Sequence, residues 1–205
     1  MWNNRYRDAG EQYLFGTQPN QFLARHAGLF QKGSTALLVA DGEGRNSVWL
    51  ATQALKVSAL DISVIAVEKA RRLAAQQGVD VDLLVADMNA PDWPPAQLHG
   101  VFDWVIGIFI QFVGVEGRAR QFAAMKQLTR PGGRILLQGY TPAQLAYGTG
   151  GPAVVENLYT QALLREAFSD WEIEELIEYE DDVAEGSGHC GRSALIGLIA
   201  RKPGV

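Results

Sequence analysis

Four apolar residues, Ala36 to Val39, run unbroken towards Asp41-Gly42-Glu43-Gly44. So short a run, ending in a glycine turn, fits a strand buried on both faces, and such strands sit in parallel sheets with helices on either side. The same unit recurs along the chain. A helix is expected over Asn46 to Leu55, then a strand from Lys56 to Leu60 that ends at Asp61. Ser63 suits the N-cap of a helix over Val64 to Gln77, in which Val64, Val67, Leu73 and Ala74 fall near one face, and Gly78 suits the residue just past its end. Val81 to Ala86 reads as a third strand ending at Asp87, Pro91 to Pro95 as a loop or helix start, and Phe102 to Ile108 as a fourth strand. A helix over Glu116 to Leu128 stops at Pro131-Gly132-Gly133, before a fifth strand, Arg134 to Gly139. After a Gly-rich loop come a helix over Val154 to Phe168 and two strands, Trp171 to Tyr179 and Ser193 to Arg201, joined as a hairpin. Hairpin strands pair antiparallel. The expected fold is therefore α/β: a mostly parallel seven-stranded sheet with an antiparallel C-terminal strand and helices on both faces.

At 205 residues the chain suits a single domain, 1–205, with an α/β core over 34–202. Residues 1–30 precede the sheet. Gly10, Gly16 and Pro19 break them up, and Phe22 to Phe30 is a candidate helix. This segment is expected to fold over the ligand edge of the sheet as a lid. The net charge is −5 with no basic block, which argues against nucleic acid as the main partner. The start, Met1-Trp2-Asn3-Asn4-Arg5-Tyr6-Arg7, has no apolar run for a signal peptide, and no stretch approaches a membrane span. Cys190 is the lone cysteine, so no intrachain disulfide can form, and a reducing compartment fits. A cytoplasmic protein, monomeric or weakly homodimeric, is expected.

Open α/β sheets bind ligands outside the carboxyl ends of their strands. Three strands end there in residues with chemistry. At the first, Asp41, Gly42, Gly44, Arg45 and Asn46 form a glycine turn leading into a helix N-terminus, where backbone can approach a ligand and a carboxylate is favoured. At the second, Asp61 lies 17 residues beyond Gly44, with Ile62 next to it, and an acid there can accept the ribose hydroxyls of an adenine nucleoside. At the third, Asp87 can take an adenine amino group while the Met88 N–H donates to the ring. Ile108 closes the fourth strand at the same edge. A dinucleotide fingerprint needs a third glycine where Ser47 stands. A second acid after the third strand and a closing hairpin suit S-adenosylmethionine (SAM) better than NAD.

These residues resemble the class I SAM-dependent methyltransferases, which share a Rossmann-like sheet, and in particular the small tellurite-resistance and thiopurine methyltransferase-like group. The glycine motif is similar over Gly42-Glu43-Gly44-Arg45-Asn46 and the helix Ser47-Val48-Trp49-Leu50-Ala51. The ribose motif is similar over Ala59-Leu60-Asp61-Ile62-Ser63, the adenine position at Asp87-Met88, and the turn into the fifth strand over Leu128 to Arg134. Trp2 to Tyr6 and Phe15 to Asn20 look like the N-terminal lid of the group. The resemblance implies SAM as cofactor and methyl transfer as activity. Many relatives carry an acid at the position of Leu38 and a glycine at Ala40; here the acid is Asp41 instead, so the sequence departs from the family at its usual contact to the methionine amino group.

Methyl transfer from a sulfonium works largely by alignment, so no Ser-His-Asp or metal cluster is required, and none is expected. A thiol or reduced chalcogen acceptor needs little base assistance, a hydroxyl or amine more. A sixth strand parallel to the rest puts the turn Glu185 to Arg192 beside the methyl group. With the loop Tyr140 to Gly151, this gives His189, Glu185, Arg192, Tyr140 and Tyr147 as acceptor-side candidates. Trp2, Tyr6, Tyr13, Phe15, Phe109 and Phe112 are placed near the cleft, where aromatic faces attract a sulfonium. Cys190 reads as a small buried residue, His26 and His99 as surface residues, and the acidic run Glu172 to Asp182 as a solvated face. Three readings stand: a SAM-dependent methyltransferase of a small molecule, an NAD-dependent oxidoreductase, and a non-catalytic SAM- or partner-binding module with a degenerate site.

Overall fold

A computed structural model describes residues 2–186 and 188–204; Met1, Ser187 of the hairpin turn and Val205 lie outside them. Seven strands form one sheet: β1 Thr35–Val39, β2 Lys56–Asp61, β3 Asp82–Val85, β4 Phe102–Ile108, β5 Thr129–Tyr140, β6 Glu172–Glu185 and β7 His189–Arg201. Their order is β3-β2-β1-β4-β5-β7-β6. The first five pair in parallel. β7 is antiparallel to both β5 and β6, so β6 runs with the first five, and its C-terminal end reaches the carboxyl edge as expected. The strand order reverses between β1 and β4, and a crevice opens there.

The unbroken apolar strands are explained by burial on both sides. Along β1, Leu37 and Val39 enter one cluster with Phe122, Met125 and Leu128 of a helix α5 (Val115–Leu128). Ala36 and Leu38 enter the opposite cluster, covered by Phe22 and Leu23 of α2 (Gln21–Arg25) and Leu50 of α3 (Arg45–Thr52). The remaining helices are α1 (Trp2–Asp8), α4 (Val64–Gln77) and α6 (Gln161–Ala167). The α4 boundaries match expectation because both caps form. The Ser63 side chain accepts from Ala66 N–H, and Gly78 ends the helix in the left-handed region.

Other boundaries differ. The helix expected over Val154 to Phe168 is a single 3-10 turn, Val155–Asn157, followed by α6. Between them Tyr159 runs extended, its N–H on Tyr140 C=O and its ring fully buried, and Thr160 then caps a new helix through Leu163 N–H. The helix expected over Phe22 to Phe30 stops at Arg25, where the His26 ring takes the Phe22 carbonyl, and a 3-10 turn, Ala27–Leu29, follows. The hairpin strands extend well past Tyr179 and begin before Ser193. Acidic residues on the outer face of β6 hide this from a hydropathy pattern. α1 has no sequence signal and is held by tertiary bonds described below. Among the described residues no helix is long and apolar enough to cross a membrane.

Candidate active site

The crevice is a cavity of about 320 Å³ at the carboxyl ends of β1, β2 and β4. Its walls include Asp41, Gly42, Arg45, Asn46, Asp61, Ile62, Asp87, Met88 and Ile108. The structure thus brings together nine of the ten cofactor-side residues expected from sequence. The exception is Gly44, which packs away from the cavity. A Cβ there would lie 2.7 Å from Ala70 Cβ and 2.9 Å from its Cα, so this glycine serves the close approach of α3 and α4.

Two strand ends carry backbone that L-residues rarely adopt. Ala40 after β1 has φ 50° and Phe109 after β4 has φ 56°. Such conformations cost on the order of 1–3 kcal/mol and collect at functional sites. The first explains the glycine of relatives at this position: the turn needs a left-handed residue, and Ala40 supplies it under strain.

Three acids face the crevice, and each has a distinct environment. Asp41 is buried. Its Oδ2 accepts from Ser47 Oγ, and its Oδ1 has no partner. Burial, opposed by the Ser47 hydrogen bond and reinforced by the nearby Asp61 charge, pushes its carboxyl up to about 7. Asp61 accepts from Gly42 N–H at 2.9 Å and Ser63 N–H at 2.8 Å, so it also shapes the glycine turn. Burial raises its carboxyl above the ordinary range despite those two bonds. Asp87 takes the Asn89 N–H at 2.8 Å, an ordinary Asx turn that orients the loop after β3.

Residues 2–20 cover the crevice. Trp2, Tyr6 and Phe15 line it, as do Phe109 and Phe112 below. Tyr13 does not; its hydroxyl is on Lys69 C=O outside. The segment is tied down by Lys69, a residue that the sequence reading passed over although it interrupts the apolar face of α4. Its buried Nζ donates to Glu43 Oε1 and Gln12 C=O, each at 2.8 Å, and to Tyr6 C=O at 3.1 Å. Ser63 Oγ and Asn3 Oδ1 meet at 2.6 Å. A second buried network joins segment, glycine helix and hairpin. Asn20 donates its N–H to Asn46 Oδ1 and its side-chain amide to Gln138 and Glu185.

The acceptor-side candidates separate. His189 lines the cavity, in contact with the Phe15 and Phe109 rings at 4.7 and 4.6 Å. Burial, partly offset by Glu185, lowers the pKa of its imidazole. Glu185 lies behind it, paired with Arg45 Nη2 at 2.5 Å. Burial acts to raise the Glu185 carboxyl, but the His189 and Arg45 partners outweigh it and hold the group at about 2. Tyr140 is buried behind Phe109, stacked on it at 4.6 Å. Arg192 and Tyr147 do not reach the cavity: Arg192 is half exposed, paired with Glu180 on the outer hairpin. Cys190, expected buried, is exposed, because alternation along β7 turns it outward next to His189. His26, expected on the surface, is partly buried between Phe22 and Glu175; His99 is exposed.

Residues 36–133 match the family model described as a methyltransferase domain. The chain is 27% identical to hemagglutinin 1 of Eikenella corrodens over 80% of its length and 53% of that protein. It is 31% identical to the tuberculostearic acid methyltransferase UfaA1 of Mycobacterium tuberculosis over 54% of its length and 25% of that protein. The chain therefore spans about half or less of these curated relatives. Among solved structures, one described under the conversion of a disulfide bond into a thioacetal group during echinomycin biosynthesis matches with a TM-score of 0.79 at 19% identity, over 98% of this chain and 90% of that one. TehB from Haemophilus influenzae matches with a TM-score of 0.72 at 17% identity, over 98% and 67%. Residues 36–133 thus match a methyltransferase domain, and the fold is shared with solved SAM-dependent methyltransferases. The NAD-dependent reading ends here.

Proposed function

We propose that the protein methylates a small molecule on a soft atom, a thiol or reduced chalcogen, using SAM held in the 320 Å³ crevice. When bound, the cofactor supplies a methyl group on a sulfonium, electrophilic enough that positioning does most of the catalysis. The observation that carries the reading is the buried, unpartnered Oδ1 of Asp41, which lies on the cavity wall and calls for a donor such as an ammonium group. Arg45, on the same wall, has an unpartnered Nη1 that suits a carboxylate. Asp61 takes ribose hydroxyls, Asp87 and Met88 the adenine edge, and the half-exposed Ile62 a face of the base. These assignments fit the amino-acid and nucleoside ends of the cofactor.

The remaining wall, Trp2, Phe15, Phe109, Phe112 and Val113, is apolar, with Tyr6 and His189 as its titratable side chains. Such a wall favours a soft nucleophile. Of the hairpin candidates only His189 lines the cavity, which supports it as the acceptor-side residue; Glu185 and Tyr140 lie behind it. Residues 2–20 act as a lid, and the lone cysteine fits a cytoplasmic setting. The degenerate-module reading loses its basis, since Asp41 supplies an acid where Leu38 does not.

Calorimetric titration with SAM, S-adenosylhomocysteine and NADH tests the cofactor. Micromolar binding of the first two, then S-adenosylhomocysteine release on adding a panel of thiols and selenols, is expected. SAM binding without turnover on any acceptor would restore the non-catalytic module.

A further inference from the structure

Three buried polar atoms in this protein lack a partner within one small region: His189 Nδ1, Tyr140 Oη and Arg45 Nη1. All three side chains gather around one carboxylate. Glu185 Oε2 accepts from Arg45 Nη2 at 2.5 Å and lies 3.9 Å from His189 Nδ1. The Glu185 charge also helps burial raise the Tyr140 phenol above its ordinary value, which keeps the hydroxyl a donor. Gly150 brings the last two together: a Cβ there would lie 3.2 Å from Tyr140 Oη and 3.4 Å from His189 Cδ2. Arg45 Nη1 faces the cavity wall assigned to the cofactor carboxylate; buried polar atoms are almost always satisfied, so the two remaining neighbours, His189 Nδ1 and Tyr140 Oη, mark an arrangement built for another state. A closure of about 1 Å would turn the 3.9 Å approach into a hydrogen bond.

We infer that Glu185 and Tyr140 are positioning residues that hold His189 as a neutral Nδ1–H imidazole, whose Nε2 takes the proton of an apolar, protic acceptor as it is methylated. This deepens the proposed function and rests on it. Glu185 accepts only, so once the 3.9 Å approach closes to a hydrogen bond the nitrogen turned towards it carries the proton, and Nε2 keeps its lone pair for the cavity. Among the described residues the charged and titratable groups around the ring are Glu185 from β6, Arg45 from α3, Arg5 from α1 and Tyr140 from β5, and the Phe15 and Phe109 rings and Gly150 also lie beside it. The cations and the burial keep the imidazole neutral at rest, and Glu185 stands ready to balance its charge after proton transfer. In the transfer, the X–H proton passes to Nε2, the X lone pair forms the X–CH3 bond, and the S–C electron pair stays on sulfur as a neutral thioether. Positive charge thus moves from the cofactor to His189, and water later removes the proton. A pre-ionised oxyanion acceptor would need no such base and would meet an apolar wall.

Two experiments decide it. The chain has only three histidines, so long-range 15N spectra with His189→Gln as the assignment control resolve the His189 ring. With or without S-adenosylhomocysteine, the proton is expected on Nδ1, and Tyr140→Phe is expected to blur that preference. A proton on Nε2 would overturn the inference whatever the acceptor. Kinetically, His189→Gln should lower kcat about 100-fold for benzyl mercaptan, which is largely protonated at neutral pH, but less than about 3-fold for 4-nitrothiophenol, already a thiolate. Tyr140→Phe should show the same selectivity in kcat with little change in KM, and SAM affinity should stay unchanged in both variants. Equal losses on both thiols, or none, would overturn the base role. Failure of SAM to bind would sink the proposed function instead, and the tautomer would still decide the assignment of His189.

Discussion

Replacing Asp41 by asparagine keeps the shape of the most perturbed acid in the crevice and removes its charge. In the folded protein its carboxyl moves from an ordinary 3.8 to about 7. The folded state therefore binds more protons than the unfolded one between those values, and wild-type stability falls as pH rises through that window. Three units at about 1.36 kcal/mol each make the full cost about 4 kcal/mol above pH 7, of which about 2–3 kcal/mol accrues between pH 5 and pH 8. The substituted amide does not titrate, and the other ionisable groups are common to both proteins and cancel in the difference. Relative to wild type, Asp41→Asn should thus gain about 2–3 kcal/mol between pH 5 and pH 8, or about 5–10 °C in Tm at about 2–4 °C per kcal/mol. Thermal unfolding followed by circular dichroism at the two pH values reads this directly. Parallel Tm curves for the two proteins would refute the burial argument.

The same substitution has the opposite effect on the ligand. An ammonium group pairs with Asp41 only when the carboxyl is ionised. Wild-type SAM affinity should rise up to about tenfold per pH unit below 7 and level off above it. In Asp41→Asn the affinity should be weaker and flat with pH. A variant that becomes more stable at pH 8 while losing SAM affinity would show that the site stores its strain for the ligand.

Three further outcomes follow from the packing. Lys69→Met strands the buried Glu43 charge and frees the Tyr6 and Gln12 carbonyls, so a loss of about 3–5 kcal/mol and rapid proteolysis within residues 2–20 are expected; Lys69→Met with Glu43→Gln should recover much of the stability, and a thermally unchanged single variant would remove the latch. Gly44→Ala drives a Cβ into the α4 backbone at Ala70 and should cost about 1–3 kcal/mol in denaturant unfolding, whereas an unaffected midpoint would show that the helices separate freely. Asp61→Ala, from sequence alone expected to weaken SAM binding with the fold intact, should also lose about 1–3 kcal/mol of stability, because Gly42 and Ser63 N–H groups lose their acceptor; full stability by the same assay would leave Asp61 a pure ligand residue.

The parts of this protein that could be read from sequence are those fixed by local rules. Unbroken apolar strands, a Ser63 cap, a Gly78 stop and acids at strand ends each follow from short-range chemistry, and the crevice formed where the strand order implied. What could not be read depends on partners distant in sequence. α1 is seven polar and aromatic residues, and it is held because Lys69, some sixty positions away, binds its Tyr6 carbonyl. Arg192 looked as promising as His189 in the same hairpin turn. Only the β6–β7 register separates them, pairing Glu185 with His189 at the cavity end and Asp182 with Arg192 further along the ribbon. The left-handed turns at Ala40 and Phe109 were likewise hidden, because neither residue type announces a positive φ. Both sit at the ends of adjacent central strands, on the rim of the cavity. Backbone strain at such a rim is tolerated only where surrounding packing enforces it, and here two packed clusters do so from both faces of the sheet. The chemistry of the crevice is therefore a property of the sheet as a whole, and no single motif in the chain would have sufficed to define it.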